Sequence, residues 1–239
     1  MIHSIRFTDI QQAAEGCAKH ILGLLEEAMK GGSHATLAIS GGSSPKLMFE
    51  VFAKTKFPWD RVQLYWVDER GVPPTDSQSN YKMTNESWLT PGNFPRANVH
   101  RIEAEKEAHE AARIYAADIT NYFKLKPGEI PKFDVIHRGM GPDCHTASLF
   151  PGEPMIDNRT DLIGAVWVEK FKQWRITMLP GVLRAAKHSV MLVTGKDKAQ
   201  PLYDVLNNPV DLKKYPVQVT HDVPNVTWIL DEPAGALVK

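Results

Sequence analysis

The chain is poor in cysteine and carries no excess of charge of either sign. Its 239 residues include two cysteines, Cys17 and Cys144, too few and too far apart for a disulfide scaffold or a cysteine-rich zinc site. Lysine and arginine number 28, as do aspartate and glutamate. The basic surplus that neutralises phosphates is therefore missing, and nucleic acid is not an expected partner. No apolar run approaches the roughly 18 residues of a bilayer span, so no membrane contact is expected either. The opening Met1-Ile2-His3-Ser4-Ile5-Arg6 lacks the basic-then-apolar layout of a secretion signal, which leaves a cytoplasmic location as the expectation. HExxH, CxxC, the GxxxxGK[ST] phosphate loop, the GxGxxG dinucleotide loop and the GxSxG elbow are all absent, so neither a metal nor a nucleotide cofactor is expected, and Ser148 does not sit on a serine-hydrolase elbow.

What is present is ordinary globular material, with 43% apolar and 23% charged residues, enough to bury a substantial core. Residues 9–30 read as a helix, with Ile10, Ala13, Ala14, Cys17, Ile21, Leu24, Leu25 and Ala28 recurring on one face. Thr8 and Gln11 have the spacing of a capping box, and Gly31-Gly32 ends the run. Short apolar stretches then read as strands: Ala35–Ile39, Val62–Val67, Val99–Ile102, Phe133–Ile136, Gly164–Val168, Ser189–Thr194 and Val226–Leu230. Helical patterns separate several of them, at Pro45–Ala53, Ser79–Leu89, Glu105–Leu125 and Asp197–Leu206. Continuous apolar strands alternating with helices predict an α/β fold with a mostly parallel sheet covered on both faces. No repeat or linker breaks the pattern, so residues 1–239 are expected to form one domain.

In parallel α/β sheets ligands bind beyond the carboxyl ends of the strands. Ser40-Gly41-Gly42-Ser43-Ser44-Pro45 follows one strand and opens a helix. It is either a phosphate cradle, with Pro45 suited to the first helical turn, or an ordinary tight turn. Asp68-Glu69-Arg70 follows the next strand. Arg70 can grip a phosphate with its forked donors and Asp68 can orient a substrate hydroxyl, or the segment is a solvated turn. Gly139–Gly152 is the richest stretch, with Asp143 and His145 flanking one residue. Asp143 can hold one imidazole nitrogen and leave the other as a general base near neutral pH, or the two are a helix cap and a structural histidine. His3, His20, His34, His109, His188 and His221 lack such company and are expected in helices or loops, as surface or structural residues. Cys17 lies in an apolar stripe and is expected to be an inert core thiol.

Together these segments resemble the 6-phosphogluconolactonase family, within the wider group that includes glucosamine-6-phosphate isomerase/deaminase. The resemblance rests on Leu37–Pro45, Trp66–Arg70 with Val72-Pro73 and Ser79-Asn80-Tyr81, Gly139–Gly152, Arg175-Ile176-Thr177 with Leu179-Pro180, and Leu192–Gly195 with Lys198-Ala199, in order over roughly residues 9–231. It implies a three-layer, Rossmann-like α/β/α sandwich, no cofactor or metal, and hydrolysis of 6-phospho-D-glucono-1,5-lactone to 6-phospho-D-gluconate in the oxidative pentose phosphate pathway. It further implies that His145, supported by Asp143, activates water, and that Ser40, Gly41, Gly42, Ser43, Arg70 and Arg175 hold the phosphate. Asp68 and Lys198 are looser substrate-binding candidates. The expected partner is a small sugar phosphate lactone, and the chain is expected to be a monomer or a weak homodimer.

The chain departs from the family pattern in two places. Cys144 stands where glycine is usual, and a positive φ there would cost about 1–2 kcal/mol. His137-Arg138 stands where apolar residues are usual, either facing the site mouth or capping a shifted strand end. Two competing functions remain. An amino-sugar-phosphate deaminase needs further acid/base groups, which Leu149-Phe150 cannot supply where that family carries Asn-Glu. A non-catalytic sugar-phosphate-binding protein is suggested only by Cys144.

Overall fold

The computed structural model describes residues 2–32 and 34–238. Ten strands appear in chain order: β1 (His3–Phe7), β2 (Ala35–Ile39), β3 (Val62–Trp66), β4 (Asp68–Arg70), β5 (Val99–His100), β6 (Val135–Arg138), β7 (Ile163–Val168), β8 (Gln173–Met178), β9 (His188–Val193) and β10 (Val226–Asp231). The helices are α1 (Ile10–Ala28), α2 (Ser43–Lys54), α3 (Asn80–Thr84), α4 (Ala108–Phe123), α5 (Pro180–Ala185), α6 (Ala199–Asn207) and α7 (Glu232–Gly235).

Seven strands form one sheet in the order β1-β10-β9-β6-β2-β3-β5, and every pairing in it is parallel. All five residues of β2 and all four of β6 are buried, as strands covered on both faces must be. The sandwich expected from the sequence is borne out. It carries an addition: β4-β8-β7 form a separate antiparallel sheet. Val67 joins the two sheets, donating its N–H to Ile39 and accepting from Met178, both at 2.8 Å. β4, β8 and β1 were not anticipated, because their polar residues hide the apolar alternation.

Helix α1 buries Ala13, Ala14, Cys17, Ile21 and Leu25 of the expected stripe together with Ala18, while Leu24 and Ala28 are half-buried and Ile10, in the first turn, is exposed. Its cap is Asp9, whose side chain accepts from Gln12 N at 2.8 Å, and not Thr8 as the capping-box spacing suggested. Cys17 is a buried free thiol, and burial pushes its ionisation far upward. On α4, the Tyr115 hydroxyl accepts from Trp66 N at 2.8 Å and donates to Trp66 O at 2.9 Å, which pins that helix to the end of β3. His3 and His188 lie in strands β1 and β9, correcting their expected helical or loop setting.

The strand expected at Phe133–Ile136 is displaced two residues toward the carboxyl end, so His137 and Arg138 belong to β6. Both are fully buried and neither faces the site mouth. Arg138 donates to Ser189 Oγ at 3.0 Å, Thr220 Oγ1 at 2.8 Å and Thr146 Oγ1 at 3.4 Å. These hydroxyls let a guanidinium replace an apolar residue inside the sheet.

Candidate active site

β6 and β2 are neighbours, and from them the chain winds outward in opposite directions. This is a topological switch point, where the loops leaving adjacent strands diverge and open a crevice. A cleft of about 530 Å³ lies there, lined by residues 40–45 after β2, Asp68 and Arg70 of β4, residues 139–142 with His145, Ala147, Ser148 and Phe150 after β6, Arg175 of β8, and residues 192–195 with Asp197 and Lys198 around the end of β9. Larger hollows of about 640 and 700 Å³ lie elsewhere, but neither is lined by His145 or by the paired arginines.

The loop after β6 holds its histidine tightly. Gly141 N donates to His145 O and Cys144 N to Gly141 O, each at 2.9 Å. Asp143 Oδ1 sits 2.5 Å from His145 Nδ1, and Lys170 Nζ donates to Asp143 Oδ2 at 3.1 Å. Burial pushes the Asp143 carboxyl up, but the hydrogen bond and charge of His145, joined by Lys170, outweigh it and hold the group well below the usual range. The His145 ring stacks on Phe150 with centroids 4.3 Å apart. Its Nε2 has no protein partner among the described residues, which leaves that nitrogen to a ligand or water.

Cys144 has φ +65, the left-handed backbone that favours glycine. Its side chain turns away from the cleft, packing with Met140, Val217 and Leu202, with Sγ 3.8 Å from Pro201 O. Burial raises this thiol to about 11. It is a core thiol and not a nucleophile in waiting.

Two arginines meet where β4 and β8 pair. Arg70 and Arg175 are register partners across the antiparallel pair, and neither has a carboxylate partner among the described residues. Arg70 Nη1 donates to Gln78 O, and the Arg175 guanidinium lies 5.3 Å from the Phe171 ring. Burial, then the neighbouring Arg70, push Arg175 below the usual guanidinium range. The Nε atoms of both arginines, Ser40 Oγ and Asn80 Oδ1 are buried without a hydrogen-bond partner. Four cleft-lining side chains thus present unsatisfied polar atoms, a pattern that suits a polyoxygenated anion.

Gly42, with φ +131, precedes α2, and no side chain caps that helix. Its first N–H groups therefore remain open toward the cleft. Gly41 must lack a side chain, since a Cβ there would stand 1.8 Å from Asn80 Oδ1. Ser43 begins the helix, and Ser44 Oγ lies 2.6 Å from Thr194 Oγ1, tying the turn to the end of β9. Asp68 is buried and accepts from Ser148 Oγ at 2.7 Å. Lys198 lines the cleft, but its ammonium is paired with Asp197.

Three neighbours of this cleft were not singled out from the sequence as site residues. Glu69 is buried and accepts from the backbone N–H groups of Arg70, Asn80 and Tyr81, each at 2.8 Å, and from Ser79 Oγ at 3.1 Å. It caps α3 and fixes Arg70. Asn80 donates to Asp68 O at 2.9 Å, and Lys170 reaches Asp143 across 27 residues of chain. Burial raises the Glu69 carboxyl against the pull of its three backbone donors.

A family model described as glucosamine-6-phosphate isomerases/6-phosphogluconolactonase matches residues 8–228. A 6-phosphogluconolactonase of Nostoc sp. is 35% identical over 217 residues, covering 90% of each chain. One of Haemophilus influenzae is 33% identical, with 84% of this chain and 87% of that one covered. The crystal structure of 6-phosphogluconolactonase from Leishmania guyanensis is similar with a TM-score of 0.87 at 26% identity, covering 100% of this chain and 99% of that one.

Proposed function

The chain belongs to the glucosamine-6-phosphate isomerase/6-phosphogluconolactonase family, and within it we propose that the protein is the lactonase, hydrolysing 6-phospho-D-glucono-1,5-lactone to 6-phospho-D-gluconate in the oxidative pentose phosphate pathway. The observation that carries the reading is His145, held by Asp143 at 2.5 Å, lining one cleft with two guanidiniums that lack carboxylate partners among the described residues. Arg70, Arg175 and the open start of α2 at Ser40–Ser43 hold the phosphate, and Asp68 accepts from a sugar hydroxyl.

A δ-lactone is an activated ester, so positioning and one base suffice. Asp143 fixes the tautomer in which Nδ1 carries the proton and Nε2 is free. Nε2 takes a proton from water as the water oxygen adds to the lactone carbonyl carbon. The imidazolium returns that proton to the ring oxygen as its bond to the carbonyl carbon breaks, opening the ring. Asp143 stays ionised throughout and stabilises the imidazolium.

The deaminase reading fits less well. Phe150 stacks directly on His145, where the related enzymes carry a carboxylate, and no group replaces it. The test is lactone hydrolysis by the purified protein with spontaneous opening subtracted. Hydrolysis well above background, reduced about 10²–10⁴-fold in His145→Asn, is the expected result. A rate equal to background would overturn the reading.

A further inference from the structure

Strands β7 and β8 form a hairpin whose tip, Glu169–Phe171, brings Phe171 to the cleft wall and Lys170 to Asp143. Lys170 Nζ donates to Asp143 Oδ2 at 3.1 Å, the carboxylate oxygen that His145 leaves free. Phe171 packs edge-on against Phe150 with centroids 5.8 Å apart, and Phe150 in turn stacks on His145. The Phe171 ring is also flanked by both Lys170 and the Arg175 guanidinium, at 5.5 and 5.3 Å. One turn of chain thus contacts Asp143, the Phe150 ring that stacks on His145, and Arg175.

We propose that Lys170 is a positioning residue for the hydrolytic reaction: by occupying the outer oxygen of Asp143 it fixes the carboxylate toward His145 and offsets part of the carboxylate charge felt at the ring. The catalytic part of this proposal rests on the lactonase reading. The Lys170 side chain is 60% exposed, and so exposed an ion pair contributes little to stability. Its consequence lies instead in what Asp143 does to its neighbour. A lone carboxylate favours the imidazolium strongly. A cation on its second oxygen withdraws part of that field without loosening the hydrogen bond. The other charges facing the same cleft are Asp68 and Arg70 on β4, Arg175 on β8, and Asp197 with Lys198 after β9. None of these touches Asp143, and among the described residues Lys170 is the lysine or arginine that pairs with it.

The experiment compares wild type, Lys170→Met, Lys170→Arg and Lys172→Met. The last removes the same charge from the same turn, where Lys172 pairs with Glu169 and not with Asp143. NMR titration follows the His145 imidazole, and steady-state kinetics follow the lactone. Lys170→Met should raise the pH midpoint of the imidazole by about half a unit. It should also move the acid limb of kcat/KM by the same amount, and lower kcat several-fold with little change in KM. Lys170→Arg should restore these values, and Lys172→Met should resemble wild type. An unchanged His145 midpoint in Lys170→Met, or an equal shift in Lys172→Met, overturns the proposal. A wild-type protein that fails to hydrolyse the lactone would instead overturn the functional reading, while the titration still decides whether Lys170 acts on the pair.

Discussion

Gly141 lies against the imidazole of His145: a Cβ at this position would stand 2.1 Å from both Cε1 and Nδ1 of the ring and 2.8 Å from Asp143 Oδ1. The backbone here does not have the positive φ that would itself call for glycine. Glycine is required for room alone, and the room is filled by the His145 ring. Gly141→Ala should therefore displace the imidazole from Asp143 while leaving the sheet intact. Lactone hydrolysis should fall by about 10²–10⁴-fold, the usual worth of a positioned base, with an unchanged circular dichroism spectrum. Full activity in this variant would show that the ring position is not what catalysis uses.

Arg70 and Arg175 repel each other in a partly desolvated pocket, and a bound anion would relieve that repulsion. Arg70→Ala should weaken 6-phosphogluconate binding by about 1.5–3 kcal/mol, on the order of 10–150-fold, as expected for one charge-assisted contact. Hydrolysis of unphosphorylated gluconolactone should barely change. Arg175→Met should weaken phosphate binding similarly yet leave the unliganded protein as stable or more stable, since a buried like charge disappears. Calorimetric titration and thermal melts separate the two effects, and a tight phosphate complex in either variant would remove that arginine from the anchor.

How much of this was readable in the chain follows from where each partner lies. The central strands are continuous apolar runs, and β2, β3, β9 and β10 announce themselves. β4 and β8 do not, because Asp68-Glu69-Arg70 looks like a solvated turn until it is seen to pair with Arg175-Ile176-Thr177 across more than 100 residues. The Asp143–His145 pair is local and could be read directly. The four donors gathered by Glu69, the orphan oxygen of Asn80 and the reach of Lys170 are products of folding, with no spacing in the sequence to signal them. His137-Arg138 misled the strand boundary because a buried cation served by three hydroxyls has no apolar signature.

Cys144 sets two effects against each other. Its φ of +65 costs a non-glycine residue about 1–2 kcal/mol. Its buried thiol, packed among Met140, Leu202 and Val217, returns about as much, and glycine would add chain entropy to the unfolded state. Cys144→Gly should thus preserve turnover while changing stability by less than about 1 kcal/mol in urea denaturation. Loss of turnover without loss of fold would contradict a thiol that only fills space.

His137 makes the last prediction, and it concerns stability against acid. The ring is fully buried and neither nitrogen has a hydrogen-bond partner. Burial, reinforced by the adjacent Arg138, pushes it down to about 3. In the unfolded chain a histidine takes its proton near about 6.5. Between those limits the unfolded state binds one more proton than the native state, so stability rises with pH and is lost as pH falls below about 6.5 toward 3. The slope is about 1.4 kcal/mol per pH unit, or roughly 2 kcal/mol by pH 5. A leucine in the same pocket cannot take up that proton. Relative to wild type, His137→Leu should therefore gain about 2 kcal/mol between pH 8 and pH 5 in urea denaturation, whatever its stability at pH 8. Activity at neutral pH should be little affected, because the side chain does not line the cleft. Parallel stability curves for the two proteins would mean that His137 is protonated or solvated in the native state, and the buried neutral ring assigned here would be wrong.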